Sequence, residues 1–172
     1  MPGQPKPYDV AADPAALVAQ ADAGHRASPP AFCAFDTTAL GSTAQLQGEM
    51  TDDIAVNLAA GEAPGWTWDT RKAVWVRTEN ARPTLTAEGS PVQAANVLLL
   101  QVDLKAVTAS GKFTGEGRGL VASGQLSTPI TWKKAGDADP WQFVDATGAP
   151  VVLIPGTTWV ELIPPTGGWS VS

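Results

Sequence analysis

The stretch GWTWDTRKAVWVR, residues 65–77, alternates apolar with polar side chains on both sides of a short polar segment. This pattern predicts two antiparallel strands joined by a hairpin loop of four residues, Asp69–Lys72. A loop at those positions places Trp66 opposite Trp75. Because side chains on a strand alternate between its two faces, four large side chains are expected to share one face of the hairpin: Trp66, Trp68, Trp75 and Arg77.

Three later segments have the same texture, each with a tryptophan in a short alternating run. They are Thr131–Lys133, Trp141–Asp145 and Thr158–Ile163. Burial of one tryptophan removes about 150–250 Å² from water, which is roughly 4–6 kcal/mol at about 25 cal/mol per Å². The seven tryptophans of the chain therefore predict a β core rich in aromatic rings.

The 172 residues carry a net charge of −6, and the sequence pI is ≈ 4.6. Their number suits one domain, with or without an extra arm. Nucleic-acid binding requires a basic stripe, and lysine and arginine never cluster beyond Lys133-Lys134, so no nucleic-acid partner is expected. The acidic balance also argues against electrostatic docking on anionic lipid. The lone Cys33 excludes an internal disulfide.

The sequence contains no run of 18 apolar residues that would cross a membrane. Its first eight residues, MPGQPKPY, lack the apolar stretch of a signal peptide. No hydrophobic export segment precedes Cys33, which is therefore interpreted as a small buried residue rather than a lipid-modified one. Two alternatives stay open: the protein remains inside the cell, or an export signal lies upstream of residue 1.

Helical signals are few. Asp13 suits an N-cap, Pro14 suits the first helical position, and Ala15–Ala23 follows with Gly24 as a stop signal. These residues predict one short helix. Val92–Ala95 is interpreted as a single helical turn.

We predict two regions, an N-terminal arm with the short helix (residues 1–27) and a β-rich domain (residues 28–172). The fold class is α+β, mostly antiparallel β as a twisted sheet or meander, with the one short N-terminal helix. Val97–Leu100 is apolar on both faces, which predicts a strand in the middle of the fold. Ala31–Phe35 and Ile54–Leu58 are further predicted strands.

The second half of the sequence is punctuated by glycine and proline. Gly111–Gly119 is expected to be a turn, after which Gly119–Ser123 and Thr128–Lys133 pair around Gly124-Gln125.

The C-terminal segments are predicted to form an antiparallel meander of three strands: Trp141–Asp145, Val151–Ile154 and Thr158–Ile163. Beyond Pro164-Pro165 the tail is expected to fray unless Trp169 docks.

Several short motifs occur in a characteristic order: Trp68-Asp69, Trp75-x-Arg77, Asn96-Val97, Thr131-Trp132-Lys133-Lys134, Phe143-x-Asp145-x-x-Gly148 and Pro155-Gly156-x-Thr158-Trp159-Val160. This order resembles the C-terminal half of the YerB-like lipoprotein family, a bacterial family of unknown function. The similarity covers roughly residues 28–164 and is strongest from Gly115 onward. Residues 6–24 are similar to the segment that joins the two halves in that family.

The resemblance implies a parent protein that is extracytoplasmic and tethered to the membrane by an upstream lipid anchor. It also implies an N-terminal α/β half that this sequence lacks, so the chain is interpreted as a fragment or a truncated reading frame. That half is the expected partner, with an envelope glycan or protein as a further one. The resemblance implies no activity and no cofactor.

Nucleophilic catalysis would have to use His25, the single histidine. No nearby serine lies on a recognisable nucleophile turn, so His25 is interpreted as a surface or cap residue beside a helix end. A thiol–imidazole pair of Cys33 with His25 is the alternative.

Two motifs suggest ligand loops. Gly115-Glu116-Gly117-Arg118-Gly119 looks like a phosphate loop, but the residues after it continue as a strand rather than a helix. Asp137-Ala138-Asp139 looks like the start of a calcium loop, but Pro140 and Trp141 replace a ligand and the turn glycine. Neither a metal nor a cofactor is predicted.

A glycosidase would need two carboxylates about 5–9.5 Å apart across a cleft, and the sequence offers four without placing any pair: Asp52, Asp53, Asp103 and Glu116. The predicted hairpin face is the remaining candidate, because aromatic rings with arginine stack on sugars and cations. The alternative is that this face packs on the core or against the missing N-terminal half. The predicted function is a non-catalytic binding or scaffolding module. The alternative is part of an enzyme acting on cell-wall glycan or peptide, with the site shared with the missing half.

Overall fold

The computed structural model describes residues 13–22, 24, 31–58, 63–103 and 113–172. The chain divides into two units, Met1–Ala31 and Phe32–Ser172. The first contains helix α1 (Pro14–Gln20), whose N-terminus is capped as predicted by the Asp13 carboxylate, which accepts the Ala15 N–H at 2.9 Å. The helix ends earlier than predicted, and its side chains are exposed.

The described part of the second unit contains helix α2 (Thr43–Gln47) and fourteen strands. The strands are β1 (Ala34–Phe35), β2 (Glu49–Met50), β3 (Asp53–Asn57), β4 (Pro64–Asp69), β5 (Val74–Glu79), β6 (Arg82–Pro83), β7 (Gln93–Ala94), β8 (Asn96–Gln101), β9 (Gly115–Ser123), β10 (Leu126–Lys134), β11 (Gln142–Val144), β12 (Val152–Leu153), β13 (Thr158–Ile163) and β14 (Gly168–Val171).

Two six-stranded sheets dominate the second unit. The central sheet has the order β11-β10-β9-β8-β13, with β2 added beside β10. The outer sheet has the order β14-β3-β4-β5-β6, with β7 added beside β5. Pairing is antiparallel except between β8 and β13 and between β1 and β12. The predicted α+β class, mostly antiparallel β, is therefore confirmed.

The central sheet is covered on both faces by apolar side chains. Val97 and Leu99 belong to a cluster shared with the outer sheet, and Leu98 and Leu100 belong to a second cluster on the opposite face. The second cluster is closed by residues 32–50, called the cover layer here, through side chains such as Ala44. The predicted position of Val97–Leu100 in the middle of the fold is confirmed.

The cover layer contains the helix that the sequence did not reveal. The α2 helix has five residues and a Ser42 N-cap, whose hydroxyl accepts the Gln45 N–H at 3.3 Å. A helix of little more than one turn leaves no apolar periodicity to recognise. The strand predicted over residues 31–35 is limited to β1.

The hairpin predicted around Gly124-Gln125 is present, since β9 and β10 pair over nine residues. The turn predicted over residues 111–119 is wrong from Gly115 onward, where β9 has already begun. Residues 111–112 lie outside the described part. The helical turn predicted at Val92–Ala95 is also wrong, because β7 pairs with β5 there.

The predicted C-terminal meander is wrong. Although Val144 and Pro150 form an isolated antiparallel bridge, β11 pairs with β10, β12 with β1 and β13 with β8. Short connections favour neighbouring strands, but the turn after β12 leads the chain to the far side of β8. The tail does not fray, because β14 pairs with β3 and Arg118 lies 4.8 Å from the Trp169 ring.

Candidate functional site

The predicted hairpin face exists, with a different register. Trp68 pairs with Trp75, and Trp66 pairs with Arg77 rather than with Trp75. The pairing differs from the prediction by two residues, and a shift by two leaves every side chain on the same face. The four side chains therefore share one face, as the alternation predicts.

The register is set by the loop. Asp69 stays in the strand opposite Val74, and its carboxylate accepts the N–H groups of Arg71 at 3.0 Å and Lys72 at 3.2 Å. Ala73 closes the loop with a φ of 53°. The loop is thus formed by residues 70–73, one position later than predicted.

This face points towards the central sheet rather than solvent. Trp66 is 1% exposed and Trp75 is 0% exposed. The Trp75 indole N–H donates to the Gly124 carbonyl at 2.8 Å. These two rings therefore pack inside the protein. Of the four side chains of the predicted platform, only Trp68 and Arg77 are partly exposed.

Arg77 forms the electrostatic link between the two sheets. Its Nε lies 3.2 Å from Glu161 on β13, and its Nη1 lies 3.6 Å from Glu79 and donates to the Thr84 hydroxyl at 3.0 Å. The guanidinium carbon lies 5.7 Å from the centroid of the Trp159 ring. Because both charged side chains are largely buried, the ion pair is only partly screened by solvent.

Trp159 is the exposed member of this cluster, at 36% exposure. Its ring lies 5.5 Å from that of Trp66, with an interplanar angle of 60°. The buried indole N–H of Trp66 has no hydrogen-bond partner in the described part of the chain. Sequence reasoning missed Trp159 and Glu161 as neighbours of Arg77, although their alternation in Thr158–Ile163 placed them on one face of a strand.

Of the proposed thiol–imidazole pair, the structure describes Cys33 alone. His25 lies outside the described residues. Cys33 is half-buried, and burial raises the pKa of its thiol to about 11. A thiol with a raised pKa is protonated at neutral pH and is a poor nucleophile.

The glycine motif of β9 allows a tryptophan side chain of the neighbouring strand to pack closely against the backbone. Gly117 lies opposite Trp132, and a Cβ at Gly117 would come within 2.6 Å of the Trp132 indole nitrogen. That nitrogen donates to the Gln101 carbonyl at 2.8 Å. Because Gly117 has no side chain, the Trp132 indole can cross β9. The element after β9 is the strand β10 rather than a helix whose N-terminus would bind a phosphate.

The Asp137–Asp139 loop surrounds an internal cation. The Lys134 ammonium donates to the backbone carbonyls of Gly136, Asp137 and Asp139. The Lys134 ammonium thus satisfies three backbone carbonyls of this loop. Within the described residues, no group of three or more histidine, cysteine, aspartate or glutamate side chains is arranged to hold a metal.

The four carboxylates considered for catalysis lie at three places in the fold. Asp52 and Asp53 lie at the start of β3 in the outer sheet, and Asp103 follows β8. Glu116 is on β9, 3.9 Å from Lys133 at an exposed position.

Two shallow depressions lie on the solvent side of the outer sheet, with volumes of about 550 and 330 Å³. They share Thr67, Thr78 and Ala81 and contain one carboxylate each, Asp69 and Asp53 respectively. Neither depression by itself contains the carboxylate pair of a glycosidase.

Residues 54–160 match the model of the family described as "Protein of unknown function (DUF3048) C-terminal domain". The chain belongs to this family. The fold is similar to the crystal structure of the YerB protein from Bacillus subtilis, with a TM-score of 0.60 and 17% identity, over 80% of this chain and 46% of that chain. The chain thus spans slightly less than half of the YerB chain, and at this identity the likeness shows the fold. No curated protein matches the sequence. The predicted resemblance to the YerB C-terminal half is confirmed.

Asn96, one of the residues that carry the YerB-like resemblance, forms a buried junction between strands. Its amide nitrogen donates to the Ile154 carbonyl at 3.0 Å and the Thr158 hydroxyl at 3.2 Å. Its amide oxygen accepts from the Ser123 hydroxyl at 2.6 Å and the Ile154 N–H at 3.2 Å. Asn96 therefore joins β8, β9 and the turn that precedes β13.

Asp145, a second such residue, organises a turn. Its carboxylate accepts from the Thr147 N–H and hydroxyl, the Ala149 N–H and the Gln47 amide, at 2.7–2.9 Å. Hydrogen bonds from the Thr147 hydroxyl and the Gln47 amide lower the pKa of Asp145 to about 2. Asn96 and Asp145 therefore stabilise the fold in this member of the DUF3048 family.

Proposed function

We propose that this chain is a non-catalytic binding or scaffolding module of an extracytoplasmic lipoprotein, which docks on the N-terminal half of its parent protein. The supporting observation is the distribution of exposed apolar side chains. Ten large apolar side chains are exposed in the described part of the chain, and five of them lie in the cover layer: Phe32, Phe35, Leu40, Leu46 and Met50.

Exposed apolar groups concentrated in one segment are typical of interaction surfaces. Leu46 and Met50 are 70% and 68% exposed and lie four residues apart, at the end of α2 and in β2. The YerB chain extends well beyond the part that this chain matches. In the proposed parent, the corresponding extra half covers the cover layer.

The test is a calorimetric titration of this chain with the separately produced N-terminal half of the parent. The variants Leu46→Glu and Met50→Glu are expected to weaken binding by about 10-fold or more each, because a charge would be buried in the interface. Leu85→Glu is the matched control, since Leu85 is 56% exposed and lies beyond β6 of the outer sheet. The proposal is contradicted if the unchanged chain does not bind, or if all three variants bind equally.

The lipid anchor is proposed for the parent protein, so its test uses the full-length parent. No helix among the described residues has the length and hydropathy required to span a membrane. A lipidated parent is expected in the detergent phase of a Triton X-114 separation. Its recovery in the aqueous phase would contradict the envelope assignment and leave the docking proposal standing.

A further inference from the structure

The β13 strand is an edge of the central sheet. In the described part of the chain, its hydrogen-bonded neighbour is β8. The Ile163 carbonyl accepts the Val102 N–H at 2.8 Å, and the Thr157 carbonyl accepts the Asn96 N–H at 3.0 Å. The odd-numbered residues of β13 therefore direct their backbone groups towards β8.

Backbone groups alternate in direction along a strand. The N–H and C=O groups of Thr158, Val160 and Leu162 consequently point to the opposite edge. No described residue is hydrogen-bonded to them there. This edge offers three donors and three acceptors in an extended row.

The edge lacks the features that protect natural edge strands, which are usually short, charged, or interrupted by proline or glycine. The other outermost strands of the two large sheets follow that rule: β2, β6 and β7 have two residues, β11 has three, and β14 has four and begins with glycine. The β13 strand has six residues, TWVELI. Its one charge, Glu161, is 8% exposed and faces Arg77 in the interior.

We propose that the free edge of β13 accepts a β-strand from the N-terminal half of the parent protein, so that the central sheet continues across both halves. This proposal rests on the proposed function and specifies the strand edge through which the two halves bind. Side chains of Val160 and Leu162 pack against the cluster that the cover layer closes. More than half of the YerB chain lies outside the matched 46%, which is enough for a further folded half. Main-chain hydrogen bonds supply the affinity in this mode of recognition.

The first measurement is amide hydrogen exchange of this chain with and without the N-terminal half. The Val160 and Leu162 amides are expected to exchange about 100-fold more slowly in the complex, because they gain hydrogen bonds. The Trp159 and Glu161 amides are the internal control, since they already face β8 and are expected to change little.

The second measurement compares two substitutions of the same kind. Val160→Pro removes an outward donor at an edge position, where proline is tolerated, and is expected to weaken binding at least 10-fold. Val171→Pro is the control on β14. The reciprocal bonds between Ser172 and Asp53 direct the Val171 N–H away from β3, so this variant is expected to bind normally.

The outcomes separate the two proposals. Binding without slower exchange at Val160 and Leu162 overturns the strand addition and leaves the docking function intact. Slower exchange that depends on the concentration of this chain alone assigns the edge to a second copy, which also overturns the proposal. Absence of any binding overturns the docking function itself.

Discussion

Replacement of Asn96 by alanine tests whether the buried junction holds β13 in place. Asn96 and Ser123 are 0% exposed, and Ile154 is 8% exposed. The substitution removes the Asn96 side-chain amide, which is the hydrogen-bond partner of the Ile154 N–H, the Ile154 carbonyl and the Ser123 hydroxyl. Each buried polar group that loses its partner costs roughly 1–3 kcal/mol. With partial relaxation, we expect a loss of about 4 kcal/mol, a large share of the 5–15 kcal/mol typical of a domain.

The assay is urea unfolding followed in parallel by tryptophan fluorescence and circular dichroism. With a slope of about 2 kcal/mol per M, the midpoint is expected to fall by about 2 M. The control is Asn57→Ala at an exposed position of β3, which is expected to change stability by less than about 0.5 kcal/mol. The reasoning is refuted if Asn96→Ala costs less than about 1 kcal/mol, because the four hydrogen bonds would then contribute little to the junction.

Three further predictions concern the other structural contacts. Arg77→Met is expected to cost about 3 kcal/mol, because it leaves the buried Glu161 carboxylate unpaired; adding Glu161→Gln should recover part of that loss in urea unfolding, and strictly additive losses would contradict the ion pair. Gly117→Ala is expected to displace the Trp132 ring and to lower the thermal midpoint, with a red shift in fluorescence emission; an unchanged spectrum would mean that the ring does not cross the strand. The lowered pKa of Asp145 stabilises the fold above the ordinary carboxyl pKa near 4, and this contribution is lost as the pH falls through about 2. Asp145→Asn should therefore flatten the decline in stability between pH 4 and pH 2, and an equally steep decline in the variant would contradict the pKa assignment.

Local sequence patterns predicted the parts of the fold that depend on neighbouring residues. The Gly124-Gln125 turn and the shared face of the hairpin depend on short-range geometry and alternation, and both were predicted correctly. Pairings that join distant segments were not. The parallel pairing of β13 with β8 depends on Asn96 holding the turn after Ile154, a contact between residues 58 positions apart. No periodicity within either segment encodes such a contact.

The candidate site shows the same division. Alternation placed Trp66 and Trp75 on one face with Arg77, but it did not determine which side of the sheet that face occupies. The side is decided by the central sheet, which covers the face and supplies Glu161. Sequence reasoning therefore identified the side chains that share this face, and it left open whether the face binds a ligand or packs inside the protein.

The residues that carry the family resemblance have internal partners, which explains why the resemblance predicts the fold. Asn96 joins three strands, Trp132 crosses β9 at Gly117, and Asp145 ties a turn to the cover layer through Gln47. A pattern composed of such residues specifies how strands are arranged, because their spacing is fixed by contacts within the domain. The two proposed binding surfaces, the cover layer and the β13 edge, consist mainly of exposed side chains and main-chain groups. Main-chain groups have no sequence signature, so a function based on them is found from strand order and edge exposure rather than from motifs.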